Sequence, residues 1–491
     1  MDDPRSAPIE LDPEAFRALG HDLVDRVADF LGTIRERPVA PDQTPEEIRS
    51  ALGDGGLPQQ GTAAREALRE AAELLFERSR LSGHPRFLAY IVGCPAPVGA
   101  LADFLASAVN PNVGGWTLAP VATEIEAQTV RWIAELVGYP ATSGGLLVSG
   151  GNMANFVGLL AARRARAPWD VRTEGTGRGN LRVYVSQETH TWIEKAADMF
   201  GLGTSAIRWI ATDDRQRIDV GALREAIRAD RSAGLHPFLV VGTAGTVSTG
   251  AIDPLPELAA VCVEEQLWFH VDGAYGAPAA VLPEAPEDLR ALALADSLAL
   301  DPHKWLYSPV EAGCVLVRDA ETLRDAFSYR PPYYRFYEER LNYFEYGPQN
   351  SRQFRALKVW IALRQVGREG YVQMLRDDVA FARLLHELAD ADPELEAATT
   401  SLSITTFRYV PRDVDPADDE YLNALNEEIA GRIESGGEAF VSNAVIAGRF
   451  LLRACIVNFR TGAGDIRALV ALVKRVGAEA HAELRRQAAP R

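Results

Sequence analysis

Leu267-Trp268-Phe269-His270-Val271-Asp272-Gly273-Ala274-Tyr275 and, further on, Ser297-Leu298-Ala299-Leu300-Asp301-Pro302-His303-Lys304-Trp305 carry one pattern twice. Each is a short, nearly continuous apolar run that leads into charged side chains. Such a run reads as a strand buried on both faces, the kind that parallel sheets covered by helices require. In an open parallel α/β sheet the crevice for chemistry lies outside the carboxyl ends of the strands. A carboxylate, Asp272, and an amine, Lys304, are therefore expected at one crevice.

Further apolar runs at 145–148, 182–185, 207–210, 238–242 and 314–317 bring the candidate strands to seven, with helical patterns between them. This alternation predicts an α/β domain over residues 95–370, with a mostly parallel seven-stranded sheet covered by helices. Ahead of it, Asp12-Pro13-Glu14 is a helix start: Asp caps, Pro fills the first turn and Glu suits the dipole. Phe16, Leu19, Leu23, Val27, Phe30 and Ile34 then form one stripe at helical spacing. A Pro/Asp-rich loop at 38–45 and a second helix at about 63–80 complete an N-terminal helical arm, residues 1–94. Its stripe must bury against its own domain or a second subunit. Residues 371–491 read as a small α+β domain, with a helix, a strand at 403–408, a long helix after Asp418 and an apolar run at 450–458.

The composition narrows the partners. At 491 residues and 47% hydrophobic, the chain can bury a large core. A net charge of -17 argues against nucleic acid or an anionic membrane surface. No apolar run approaches the ~20 residues that span a bilayer, and Met1-Asp2-Asp3-Pro4 shows no secretory signal. Cys94, Cys262, Cys314 and Cys455 lie far apart and form no CxxC, as expected of buried residues in a reducing cytoplasm. No HExxH spacing occurs, so no metal is expected.

An amine and a carboxylate at one crevice are the pair that pyridoxal 5'-phosphate needs: one forms the Schiff base, the other keeps the pyridine nitrogen protonated. The lysines sharpen this reading. Only Lys195, Lys304, Lys358 and Lys474 occur, arginine standing almost everywhere else, and arginine cannot form an imine. Ser149-Gly150-Gly151-Asn152 follows a strand and opens a helix, which makes an anion site from free backbone N–H groups. His190 lies just past a strand end, where an imidazole can stack on a flat ring, move protons or simply satisfy its own loop. Thr246, after the run at 238–242, can hydrogen-bond a ring substituent or its own turn. Residues 329–346 hold eight aromatics interleaved with Arg and Pro, which fits a lid, an inter-subunit loop or a self-packed surface loop.

With these residues in view, the chain resembles the group II pyridoxal-phosphate decarboxylases, similar to aromatic-L-amino-acid decarboxylases. The markers are His84-Pro85-Arg86-Phe87, Thr123-Glu124-Ile125-Glu126, His270-Val271-Asp272, Pro302-His303-Lys304-Trp305 and Phe354-Arg355-Ala356-Leu357-Lys358. The resemblance implies fold type I and a homodimer clasped by the N-terminal helices. It implies Lys304 as the Schiff-base lysine and Asp272 as partner of the pyridine nitrogen. Ala274 and His190 would pack on the two ring faces. Gly150, Gly151, Asn152 and His303 would surround the phosphate. Tyr333 would protonate the carbon left when carbon dioxide departs, and Tyr90 and Ser351 would contact substrate.

This sequence also departs from the family. Many relatives have Asn where Asp301 stands, and an acid sits poorly beside phosphate, so Asp301 is expected to turn away. Bulky aromatics that line the relatives' side-chain pocket give way to Asn112-Val113-Gly114-Gly115 and Ile91-Val92-Gly93. Ser351 falls where plant relatives use Ser for phenolic and Gly for indolic substrates, which favours a tyrosine- or dopa-like amino acid. Decarboxylation of tryptophan or of a polar amino acid, and an oxidative reaction giving an aldehyde, are the alternatives. Oxidative relatives tend to replace the loop tyrosine or the stacking histidine, and this chain keeps Tyr333 and His190.

Overall fold

A computed structural model describes residues 7–53, 55–177, 179–330 and 340–488. Five helices precede the first strand: α1 (Pro13–Gly32), α2 (Pro45–Leu52), α3 (Ala64–Arg78), α4 (Pro97–Val109) and α5 (Pro120–Leu136). There follow β1 (Gly144–Val148), α6 (Gly151–Arg166), α7 (Val171–Glu174), β2 (Leu181–Ser186), α8 (Trp192–Met199), β3 (Ile207–Ile210) and α9 (Val220–Ser232). Next come β4 (His236–Thr243), α10 (Leu255–Glu264), β5 (Trp268–Asp272), α11 (Glu287–Arg290), β6 (Ser297–Leu300), α12 (Pro302–Trp305), β7 (Gly313–Val317) and α13 (Glu321–Phe327). The chain ends with α14 (Ala356–Ala391), β8 (Leu395–Ser401), β9 (Ile404–Tyr409), α15 (Asp419–Gly436), β10 (Ser442–Ile446), β11 (Arg449–Cys455) and α16 (Ala463–Ala488).

All seven expected strands form one sheet, in the order β1-β7-β6-β5-β4-β2-β3. Pairing is parallel from β3 through β6, and β7 runs antiparallel to both β6 and β1. The central strands are buried along their whole length, as continuous apolar runs require. Period-2 alternation then puts His270 and Asp272 on one face of β5. His270 meets Asn155 of α6, and Asp272 meets Trp192 of α8. Phe269 points the other way, beside the space above Gly242 that Leu255 and Leu258 of α10 also border.

A second, antiparallel sheet, β10-β11-β9-β8, carries its own apolar core with the distal part of α14, α15 and α16. The N-terminal helices begin as their caps dictate. Asp12 accepts the Ala15 N–H at 2.8 Å, and Thr44 and Glu47 form a reciprocal capping box that starts α2. That helix stands just past the loop expected at 38–45 and was not foreseen. No residue of α1 is buried in the single chain, and Phe16 is 49% exposed. Among the described residues, no helix is long and apolar enough to cross a membrane.

Candidate active site

Asp272 closes β5 and Lys304 sits in α12, one short turn beyond β6. Both line a cavity of about 400 Å3. Gly150, Gly151, Asn152, His190, Ala274 and His303 share its wall, so eight of the residues singled out in the sequence converge there. The other three lysines lie elsewhere: Lys358 pairs with Asp103 at 3.0 Å, Lys474 with Asp392 at 2.7 Å, and Lys195 is exposed on α8.

The anion end is built from backbone. Gly150 has φ 137° and precedes α6, and no side chain caps that helix. Its first N–H groups and the positive end of its dipole are therefore available to a phosphate. A Cβ on Gly313 of β7 would lie 2.5–2.7 Å from the Gly150 backbone, so only glycine lets the two segments approach this closely. His303 Nδ1 lies 2.7 Å from the Ala312 carbonyl, which can only accept. The Ala312 N–H also reaches Nδ1, at 3.3 Å, so the Ala312 backbone anchors the ring.

The amine end is held from three sides. Lys304 Nζ lies 3.0 Å from Asp301 Oδ2, and the Asp301 side chain is 2% exposed. The expectation that Asp301 turns away is thus overturned: an amine in this half-buried turn finds its counter-charge three residues back. Asp301 Oδ1 is buried with no hydrogen-bond partner among the described residues. Behind the turn, buried Asp378 of α14 accepts the Trp305 indole N–H at 2.9 Å and the Tyr307 hydroxyl at 2.7 Å. Burial pushes the Asp378 carboxyl up to about 7. On the remaining side, a Cβ on Gly93 would lie 2.0 Å from the Lys304 carbonyl oxygen, so that contact also demands glycine.

Asp272 is buried. Its Oδ1 accepts the Ala274 N–H at 3.1 Å and its Oδ2 the Trp192 indole N–H at 2.8 Å. His190 stands at the exposed mouth. Desolvation on its packed side lowers its pKa, Asp272 pulls the other way, and Lys304 and Lys195 add to the drop. Three candidates lie apart from this cluster. Thr246 Oγ1 is spent on its own turn, 3.0 Å from Thr249 Oγ1 and accepting the Ala251 N–H at 3.1 Å. Thr243, at the carboxyl end of β4, lines the cavity instead and carries a buried hydroxyl with no partner among the described residues. The strand-end rule pointed to it, but the sequence placed the strand end one residue early. Tyr90 is 58% exposed and outside the cavity lining, while Ser351 borders a separate cavity of about 480 Å3 with Asn112. Tyr333 lies outside the described residues.

The marker segments earn their places structurally. Buried Glu126 accepts the Leu147 N–H at 2.9 Å and pairs with buried Arg352, which ties β1 to the segment before α14. Asn112 Oδ1 accepts the N–H groups of Gly114 and Arg352 at 3.1 and 3.0 Å, so its amide is used in shaping the loop.

An amine, a carboxylate at a strand end, an uncapped helix N-terminus walled by glycines and an orphaned hydroxyl fit pyridoxal phosphate. Comparison with known proteins agrees. Residues 45–410 match the model of the pyridoxal-dependent decarboxylase conserved domain. An aromatic-L-amino-acid decarboxylase of Bacillus atrophaeus is 34% identical over 476 residues, covering 96% of this chain and 97% of the relative. The crystal structure of an Oryza sativa TDC with PLP and tryptamine superposes with a TM-score of 0.90 at 27% identity, covering 97% and 99% of the two chains. A Rhodiola rosea 4-hydroxyphenylacetaldehyde synthase structure does so at 0.87 and 28%, covering 96% and 99%. The chain therefore belongs to the pyridoxal-dependent decarboxylases, as a group II enzyme that uses pyridoxal phosphate to decarboxylate an amino acid.

Proposed function

We propose that this enzyme converts an aromatic L-amino acid, tyrosine- or dopa-like, to its amine and carbon dioxide, as a homodimer in the cytoplasm. The observation that carries the reading is the convergence of Lys304 and Asp272 on one cavity with the α6 N-terminus. The aromatic class is supported by the 34% identical relative, and the phenolic preference by Ser351. Lys304 attaches the cofactor, Gly150, Gly151, Asn152 and His303 hold its phosphate, and His190 and Ala274 pack on its ring. Asp272 keeps the ring nitrogen charged. Bound there, the cofactor would supply the electron sink for the bonding pair that stays on the α-carbon when carbon dioxide departs. Tyr333 delivers the proton that completes the amine. Much of the rate comes from holding these groups in register.

The test is a screen of L-amino acids for carbon dioxide release by the purified holoenzyme. Tyrosine or dopa should give the highest kcat/KM. Release confined to tryptophan or to polar amino acids would overturn the substrate assignment, and aldehyde with ammonia and peroxide would overturn the reaction type. Tyr333→Phe should lower amine yield and raise aldehyde under air. An unchanged product mixture, with the switch appearing in Tyr334→Phe instead, moves the role by one residue.

The domain division at 94 and 370 belongs to the same proposal; α14 is interrupted at Gly367, where φ is 67° and ψ 171°. The dimer is supported by an apolar face left open in the single chain. Phe16 of α1 stacks on Phe104 of α4 at 6.2 Å, and Leu101, Phe104, Leu105 and Val109 are each more than half exposed. Fully burying such side chains is worth about 1.5–3 kcal/mol apiece. In this reading Tyr90 and Ser351 contact the substrate. Sedimentation should show a dimer at micromolar concentration; an active monomer there would refute the dimer.

A further inference from the structure

We infer that Trp192 is the positioning residue that sets both Asp272 and His190 for the cofactor ring, one through its indole and the other through its backbone. This rests on the reading of the cavity given above. Trp192 is fully buried at the first turn of α8. Its indole N–H donates to Asp272 Oδ2 at 2.8 Å across 80 residues of sequence, and its backbone N–H donates to His190 Nδ1 at 3.2 Å.

Each bond removes a freedom that the ring contacts need removed. The terminal torsion of an aspartate is broad and nearly two-fold, so a lone carboxylate does not define a plane. Here Ala274 N–H takes Oδ1 and the Trp192 indole takes Oδ2, so both oxygens are pinned. A carboxylate has about four acceptor sites, which leaves capacity on each oxygen for a further donor. For His190, a backbone donor at Nδ1 excludes a proton there, so the neutral ring carries its proton on Nε2. His190 and Trp192 share one short turn, whereas Asp272 comes from β5. The indole is thus the link that fixes the distance between ring face and ring nitrogen.

The surroundings keep that link unambiguous. The Trp192 ring lies edge-on to His270, with centroids 5.9 Å apart and planes at 79°. His270 is buried on the same face of β5 as Asp272, and as a cation it would compete for the carboxylate. It does not: its Nε2 lies 2.7 Å from Asn155 Oδ1 and its Nδ1 2.7 Å from Ser297 Oγ. Burial pushes it down to about 4. Asp272 is therefore left to the indole, the Ala274 N–H and whatever occupies the cavity.

The experiment reads the indole proton directly. The chain has eight tryptophans, and 15N-tryptophan labelling of the cofactor-free protein gives their indole signals. The Trp192 signal is the one missing from Trp192→Phe. Adding pyridoxal phosphate should shift it, because Asp272 then divides its charge among three donors, the Ala274 N–H, the indole and the ring nitrogen, while inorganic phosphate alone should leave it in place. A second variant replaces the Trp192 indole with benzothiophene, which keeps the shape and deletes only the N–H. Its dissociation constant for pyridoxal phosphate should rise about tenfold, because the Asp272 carboxylate is then free to turn away from the ring nitrogen. Its kcat should fall more than its KM changes, with the melting temperature of the cofactor-free protein retained. A Trp192 signal unmoved by the cofactor, or a benzothiophene variant equal to wild type in affinity and kcat, would overturn the inference. Borohydride trapping separates the two levels. Label on Lys304 with an unmoved Trp192 signal refutes only the role of Trp192, whereas label on another lysine refutes the reading of the cavity.

Discussion

Lys304→Ala is expected to abolish covalent attachment of the cofactor and to lower kcat to the upper end of the ~10²–10⁴-fold loss seen when a positioned acid–base group is removed. Borohydride reduction of the wild-type holoenzyme should leave the cofactor on the peptide containing Lys304, and no stable adduct should survive in the variant. Trapping on Lys195, Lys358 or Lys474 would show that the site has been assigned to the wrong lysine. The same substitution carries a stability cost. It leaves Asp301 Oδ2 with only His303 Nε2, at 3.8 Å, while Oδ1 has no hydrogen-bond partner among the described residues. Deleting one member of a buried pair typically costs ~3–5 kcal/mol, and the lower end applies because the Lys304 side chain is 22% exposed. The cofactor-free single variant should therefore melt below wild type. Lys304→Ala combined with Asp301→Asn should recover much of the difference. If the single variant melts with wild type, the Asp301–Lys304 pair contributes nothing to the folded state.

Asp272→Asn is expected to have the next largest effect. A charge-assisted hydrogen bond contributes roughly 1.5–3 kcal/mol, so cofactor affinity should fall by about ten- to a hundredfold. The fall in kcat should be larger still, because the charged ring nitrogen matters most in the transition state. The amide adds a second fault. Asp272 receives N–H donors on both oxygens, from Ala274 and Trp192. An asparagine must turn its NH2 group toward one of them, leaving two donors face to face in a buried site. Asp272→Glu keeps the charge but lengthens the arm, and should recover affinity more than rate. An Asn variant with near-normal turnover would contradict the electron-sink role. Lost affinity with kcat unchanged at saturating cofactor would show that the carboxylate acts only in binding.

The amino-acid sequence by itself determined the seven strands, because strands buried on both faces are continuous apolar runs whose ends show as glycines, prolines and charges. It also determined which strand ends bear Asp272, Lys304 and the Gly150-Gly151 turn, since those follow directly from the runs. Pairing direction was not legible: β7 is as apolar as its neighbours, and only its place between β1 and β6 makes it antiparallel to both. Nor were the contacts that aim the site. Trp192 meets Asp272 across 80 residues, Asp378 holds the Lys304 turn from α14, and the hydroxyl on the cavity wall belongs to Thr243 rather than Thr246. Asp301 turned inward because the half-buried Lys304 amine needs a counter-charge: the three-residue spacing stands in the sequence, but packing decided that both side chains face the cavity. Periodicity and turn chemistry act over a few neighbouring residues, so they are written along the chain. The orientation of a buried polar side chain depends on which donors and charges packing brings within 3 Å, and that is decided only when the elements meet.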